Sequence, residues 1–83
     1  DYARAIDGVD IGALIEERPG VVKASLRARH ASFRMDLVAA EFNGGGHASA
    51  AGLNFPDRLD NFYPRLVAAC AARLAAVGEG APR

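Results

Sequence analysis

The segment Asn43-Gly44-Gly45-Gly46-His47-Ala48-Ser49-Ala50-Ala51-Gly52 contains three consecutive glycines followed directly by a histidine. Fixing each glycine on folding costs about 0.5–1 kcal/mol relative to alanine, because glycine gives up the most backbone freedom. In return, a glycine run admits other groups close to the main chain and exposes peptide N–H groups to phosphate or carboxylate oxygens. His47 adds a side-chain donor that can also carry a positive charge. The segment therefore predicts an anion-binding loop.

A purely structural turn is the alternative explanation of this segment. Asp36 is expected to cap a short helix whose core residues are Leu37, Val38 and Phe42, and Asn43 or Gly44 suits the left-handed residue that ends such a helix. One left-handed residue is enough for that purpose. The segment also lacks the lysine-hydroxyl ending of a P-loop and the spaced glycines of a dinucleotide fold. Because the other glycines and His47 stay unexplained by a turn, we favour the anion-binding interpretation.

Residues 21–29 alternate between apolar and polar side chains, which is typical of a strand with one buried face. The apolar set is Val22, Ala24, Leu26 and Ala28, and the polar set is Lys23, Ser25, Arg27 and Arg29. Same-side residues of a strand are roughly 6.5–7 Å apart, so the polar set can line an extended anionic ligand. Arginine binds phosphate through two parallel N–H bonds, which makes Arg27 the strongest candidate. For Lys23 and Arg29, a solvated edge that discourages strand pairing explains the charge equally well.

The remaining segments predict a small sheet with a covering helix. Residues 8–16 suit a strand followed by a turn, with a helix as the competitor because periodicity over so few residues does not separate the two. Leu53-Asn54-Phe55 predicts a return strand after the small residues that follow His47. A final helix is expected from about Asn61 as cap to Val77, which leaves Pro64 in its first turn. Its apolar side comprises Leu59, Phe62, Leu66, Val67, Cys70 and Leu74. Residues 1–6 read as the end of a helix, and a frayed tail is expected from about residue 78.

Together these elements predict an α+β domain with a small mixed or antiparallel sheet of three or more strands packed against helices. Ser49 lies close enough to the glycines to reach a ligand. Phe33 is the only aromatic residue expected outside the core, and thus the only candidate for stacking on a base.

Composition narrows the class of protein. The 83 residues carry no net charge, which argues against nonspecific coating of nucleic acid, because that requires a basic excess. A single cysteine, Cys70, excludes an internal disulfide framework and fits a reducing cytoplasm. Two histidines and one cysteine make no structural zinc set. The sequence shows neither a membrane-spanning apolar stretch nor a signal-peptide pattern, so no membrane partner is expected.

Three blocks of sequence carry a family resemblance: Ser25-Leu26-Arg27, then the segment 36–42, then Gly44-Gly45-Gly46-His47 with Ala50-Ala51-Gly52. Their order and spacing resemble the C-terminal, substrate-binding domain of the DHH-family phosphoesterases, often called the DHH-associated domain. The resemblance spans roughly residues 8–77. Asn43 departs from it, since relatives commonly have a fourth glycine there. Asparagine is the non-glycine residue that best tolerates left-handed backbone, so the geometry need not change.

The resemblance implies a division of labour between two domains. The family includes RecJ-type exonucleases, nanoRNA and 3'-phosphoadenosine-phosphate phosphatases, cyclic di-AMP phosphodiesterases and exopolyphosphatase-like proteins. In these enzymes a larger N-terminal domain holds two metal ions, usually manganese, and the smaller domain grips the phosphate end of the substrate. Residues 1–83 would then be one substrate-binding domain, a fragment excised from a larger hydrolase. The expected binding residues are Lys23, Ser25, Arg27, Gly44, Gly45, Gly46, His47 and Ser49.

No catalytic residue, metal or cofactor is expected in this domain itself, since the sequence offers no carboxylate cluster that would activate water. The implied ligands are short RNA or single-stranded nucleic acid, phosphoadenosine phosphate or a cyclic dinucleotide. The implied protein partner is the N-terminal metal-binding domain of the parent chain, and a homodimer stays open. The sequence does not choose among these ligands or a polyphosphate, because the contacts it identifies are with phosphate and not with a base.

Two other interpretations differ in class. A related domain ends alanyl-tRNA synthetases and acts as a noncatalytic RNA-binding module. Those domains usually lack a histidine directly after the glycines, so His47 favours the phosphoesterases. The third interpretation is an interaction domain whose glycines merely turn the chain, in which case no nucleotide would bind.

Overall fold

Antiparallel strands organise this protein, a computed structural model of which describes the backbone of residues 2–7 and 10–80 and the side chains of residues 10–77. The elements in chain order are β1 (Tyr2–Asp7), β2 (Ile11–Arg18), β3 (Val21–Ala28), a 3-10 turn (Ala31–Phe33), α1 (Met35–Ala40), β4 (Gly45–His47), β5 (Ala50–Phe55) and α2 (Leu59–Gly80). The predicted α+β class is confirmed.

The five described strands form one sheet in the order β1-β2-β3-β5-β4, and every neighbouring pair is antiparallel. A tight turn at Pro19-Gly20 joins β2 to β3, and Gly20 has the positive φ of 78° that such a turn favours. The predicted alternation in β3 is confirmed, with Val22, Ala24 and Leu26 buried. β5 lies between β3 and β4, so the chain must leave the sheet after β3 and return at its far edge.

The helices cover only one face of the sheet, and the core lies between that face and the helices. From the sheet it takes Ile11, Ile15, Val22, Leu26 and Leu53, and from the helices Met35, Val38, Leu59, Phe62 and Leu66. Phe42 packs edge-on against Phe62 and Phe55, with ring centroids 4.9 and 5.4 Å apart. The opposite face of the sheet has no helix on it among the described residues.

A carboxylate from the sheet positions the long helix. The N–H of Leu59, the first residue of α2, donates to Oε2 of Glu17 on β2 at 2.7 Å. Further along the helix, Nε of Arg73 donates to the carbonyl oxygen of Phe33 at 3.0 Å. The first bond satisfies a peptide N–H that has no partner inside the helix, and the second fixes the 3-10 turn against α2.

Several local predictions differ from the structure. Residues 2–7 are a strand and not the end of a helix, while Gly8 and Val9 of the predicted strand 8–16 lie outside the described residues. α2 begins at Leu59, so Pro64 falls beyond its first turn. The helix continues through Gly80, three residues past the predicted end, and residues 81–83 of the expected tail lie outside the described residues.

Two predictions for α1 are wrong. Asp36 does not cap it: Asp36 lies inside its first turn and accepts two hydrogen bonds from Arg34, at 2.9 and 2.7 Å. Leu37 is 41% exposed, because α1 turns Met35, Val38 and Ala39 toward the core. Similarly, Val67 and Leu74 of α2 are 42% and 40% exposed. These two residues lie at the margin of an apolar stripe whose centre is formed by Phe62, Leu66 and Cys70.

Candidate functional site

The glycine run begins at a well-formed helix end. Asn43 has φ 62°, its N–H donates to the carbonyl of Ala40 at 3.2 Å, and the N–H of Gly44 donates to that of Ala39 at 2.8 Å. This pair of bonds is the Schellman motif, with Asn43 as the left-handed residue. The prediction that Asn43 or Gly44 is the left-handed residue ending the helix is confirmed, at Asn43. Asn43 turns the chain out of α1 and directly into β4.

The glycines form an edge strand of the sheet, and two of them are required by close packing. A β-carbon on Gly44 would lie 2.3 Å from the carbonyl oxygen of Gly52, and one on Gly46 would lie 2.7 Å from Cα of Ala51. Gly46 also has φ 145°. A β-carbon on Gly45 would meet nothing within 4 Å. The close approach of β4 to β5 thus accounts for Gly44 and Gly46, whereas Gly45 faces open space.

The register brings the predicted binding residues to one surface. Across the sheet, Arg27 pairs with Ala50 and Ala50 pairs with His47, while Ser25 pairs with Gly52 and Gly52 with Gly45. Paired residues of neighbouring strands project on the same side. We call this surface, which carries Lys23, Ser25, Arg27, Gly45 and His47, the open face.

A single small residue separates the side chains of Arg27 and His47 on the open face. Only Ala50 lies between Arg27 and His47, and strand pairing places their α-carbons about 10 Å apart. Both side chains are exposed. The residue between them, Ala50, has only a methyl side chain. A phosphate group can therefore approach the guanidinium and the imidazole from the same side of the sheet.

Arg27 has no ion-pair partner among the described side chains. Its neighbours across the sheet are Gly12 and Ala50, neither of which carries a polar side chain, and it forms no ion pair with any residue from 10 to 77. Lys23 differs, because Glu16 lies opposite it on β2. Glu16 itself pairs with Arg18 at 3.2 Å. In the other direction along this row, Gly12 pairs with Asp7 of β1, two strands from Arg27.

The hairpin turn that follows His47 is tied to the rest of the domain. The carbonyl of Ser49 accepts from the N–H of Ala28 at 2.9 Å, and the carbonyl of Ala48 accepts from that of Met35 at 2.8 Å. These bonds lock the turn against the end of β3 and the start of α1. The Ser49 side chain is exposed beside the open face. The relative position of Arg27 and His47 is thus fixed by the backbone.

The open face also contains a leucine that the sequence analysis did not single out. Leu14 is 59% exposed, and it lines an open depression of about 380 Å³ with Gly12, Ala13, Ser25 and Arg27. The sequence contains the information needed to find it. If Ile11, Ala13 and Ile15 point to the buried side of a strand, Leu14 must project from the other side.

The expected stacking residue is unsuitable. Phe33 is only 8% exposed and packs in the core, and its carbonyl accepts the hydrogen bond from Arg73. The ring of His30 lies 6.2 Å from that of Phe33, outside the core. Phe33 was assigned to the surface because the segment around it shows no clear periodicity. The 3-10 turn nevertheless directs the ring inward.

No metal site can be built from the described side chains. Among them no three His, Cys, Asp or Glu residues lie close enough together to hold an ion. The family resemblance implies manganese for the separate N-terminal domain and not for these residues. Likewise, no helix in the described part of the chain is long and apolar enough to cross a membrane.

Comparison with known families gives one match. The model of the DHHA1 domain matches residues 1–76, which is nearly the whole chain. No curated protein was found to match the sequence.

Proposed function

This chain belongs to the DHHA1 domain family, the DHH-associated domain of DHH-family phosphoesterases, and we propose from this that its open face binds the phosphate end of a nucleotide or short oligonucleotide. Arg27 and His47 bind and orient the phosphate. Gly45 keeps the surface accessible, and Ser25, with Lys23 and Ser49 at the margins, supplies further donors. Gly44 and Gly46 act through the backbone geometry that they permit.

The observation that carries this proposal is the juxtaposition of Arg27 and His47 across three strands, with only Ala50 between them. The two residues are twenty positions apart in sequence. A guanidinium with no ion-pair partner among residues 10–77 suits phosphate, because it can donate two parallel hydrogen bonds. The DHHA1 membership supplies the independent reason to place a substrate on this domain.

The parent protein is proposed to be a manganese-dependent phosphodiesterase or exonuclease of the cytoplasm, with the metal on a separate domain. Its substrate would be short RNA or single-stranded nucleic acid, phosphoadenosine phosphate or a cyclic dinucleotide. The present chain would hold the substrate without cleaving it. Cleavage needs an activated water, and the open face offers donors but no cluster of general bases.

The test is an NMR titration of the 83-residue chain with a 5'-phosphorylated RNA dinucleotide and with 3'-phosphoadenosine 5'-phosphate. Shifts are expected at Arg27, Gly45 and His47. Arg27→Ala should weaken binding roughly 10- to 100-fold, since a hydrogen bond to a charged group contributes about 1.5–3 kcal/mol. His47→Ala should weaken it less, because the imidazole offers a single donor toward the phosphate where the guanidinium offers two. Arg58→Ala, an exposed arginine at the start of α2, is the matched control and should bind normally.

Three results would contradict the proposal. The first is the absence of shifts with either ligand, which would make the glycine segment a turn only. The second is binding that survives Arg27→Ala, which would place the site elsewhere. The third is tight binding of a structured tRNA together with indifference to both small ligands, which would favour the noncatalytic RNA-binding module.

A further inference from the structure

Leu14 is the most exposed large apolar side chain of the described residues. It projects from the middle of β2, where Ala13 and Ile15 on either side are buried. An exposed leucine in the centre of a sheet is costly to leave in water when a ligand or another surface does not cover it. Its surroundings indicate what covers it.

Leu14 lies diagonally across from Arg27. The strand register pairs Leu14 with Ser25 and Gly12 with Arg27, and diagonal neighbours of this kind are about 7–8 Å apart. Gly12 lies opposite Arg27 and two residues before Leu14 on β2, and it has no side chain that would separate the guanidinium from the leucine. The two side chains and Ser25 line the same depression.

This arrangement fits a ligand with an anionic end and an apolar body. A phosphate on Arg27 places the adjoining part of the ligand over Gly12 and then over Leu14. Inorganic polyphosphate has no apolar surface to cover Leu14, whereas a nucleoside has the face of its base. The position of Ser25 beside Leu14 also provides a donor and acceptor for a sugar hydroxyl or a base edge.

We infer that Leu14 and the backbone of Gly12 form a subsite for the nucleoside, which makes the substrate a nucleotide or oligonucleotide and not a polyphosphate. This inference rests on the proposed function, because it takes the phosphate to be bound at Arg27. It assigns to the open face a selectivity that phosphate contacts alone do not give.

The experiment compares three probes: 3'-phosphoadenosine 5'-phosphate, ribose 5-phosphate and tripolyphosphate. Their dissociation constants are measured by titration for the 83-residue chain and for Leu14→Ser, Leu14→Phe and Arg27→Ala. Leu37→Ser is the matched control, because Leu37 is also an exposed leucine but lies on α1. Leu14→Ser should weaken the nucleotide roughly 5- to 10-fold and leave ribose 5-phosphate unchanged, whereas Leu14→Phe should retain or improve nucleotide binding. Leu37→Ser should change neither.

The outcomes separate this inference from the proposed function. Nucleotide binding that is lost in Arg27→Ala but unchanged in Leu14→Ser would overturn the nucleoside subsite and leave the phosphate site standing. Equal weakening of nucleotide and ribose 5-phosphate by Leu14→Ser would also overturn it, since the leucine would then act only on the shape of the sheet. If none of the probes binds the unaltered chain, both proposals are overturned.

Discussion

At the scale of the residue, the three consecutive glycines are not equivalent. Gly44 and Gly46 lie where β4 approaches β5 too closely for a β-carbon, and Gly46 also has a positive φ. Gly45 has neither constraint and faces the surface proposed to bind phosphate. One glycine of the run is therefore available to be explained by function, whereas the other two are explained by packing.

This difference gives a paired prediction. Gly44→Ala should lower the free energy of unfolding by about 2–3 kcal/mol, because its methyl group would overlap the Gly52 carbonyl and the Leu53 side chain. Gly45→Ala should leave stability unchanged or raise it by about 0.5 kcal/mol, yet weaken nucleotide binding. Urea denaturation measures the first effect and ligand titration the second. A Gly45→Ala variant that binds normally would show that the ligand does not approach β4.

At the scale of the element, α2 depends on an acceptor supplied by a different element. Glu17 of β2 accepts from the first N–H of the helix, 42 residues away in sequence. Arg73 near the other end of α2 donates to the 3-10 turn. Hydrogen bonds thus attach α2 to β2 at its start and to the 3-10 turn at Arg73, in addition to the apolar packing of its middle.

The hydrogen bond from Leu59 to Glu17 predicts a measurable loss of folding stability when Glu17 is replaced. Glu17→Ala should lower the free energy of unfolding by about 1 kcal/mol, as removal of a helix N-cap does, and Glu17→Gln should recover part of it by keeping an acceptor oxygen. Glu16→Ala is the control, because Glu16 pairs only with exposed Arg18 and should cost little. Thermal denaturation followed by circular dichroism provides the measurement. Equal losses for Glu16→Ala and Glu17→Ala would mean that the cap contributes no more than the surface pair.

At the scale of the whole molecule, the sheet is asymmetric: one face is covered by helices and the other carries the proposed site. Cys70 lies on the covered side, within the core formed by α2 and the sheet. Its burial, with the charge of Glu41 nearby, raises the pKa of the thiol. Both effects reduce the amount of reactive thiolate at a given pH.

Cys70 should therefore report opening of the core. Labelling by a thiol reagent at pH 8 should be at least about 100-fold slower in the folded chain than in denaturant, because the thiol must first become exposed. An Ala72→Cys substitution in a Cys70→Ala background is the control, since Ala72 is exposed on the same helix and should label rapidly. Comparable labelling rates for Cys70 and the control would indicate that α2 separates easily from the sheet.

Predictions that depended on local sequence were confirmed to different degrees. The alternation in residues 21–28 identified β3 and its buried side, because a strand has the same two-residue repeat wherever it lies. The left-handed conformation of Asn43 could be predicted for the same reason, since the end of a helix sets the backbone angles of that residue locally. Phe33 was assigned to the surface wrongly, because a one-turn helix has no repeat long enough to show which side is buried.

The sequence by itself therefore determined the α+β class and the two-residue repeat of β3, since these follow from short-range geometry, while the candidate phosphate-binding residues followed from residue chemistry together with the family resemblance. Only the tertiary structure decided that Arg27 and His47 share a surface, that Gly44 and Gly46 are needed for packing while Gly45 is not, and that Leu14 is exposed beside Arg27. The physical reason is that strand order and register join residues far apart in the chain. No local repeat records which distant strand will be the neighbour.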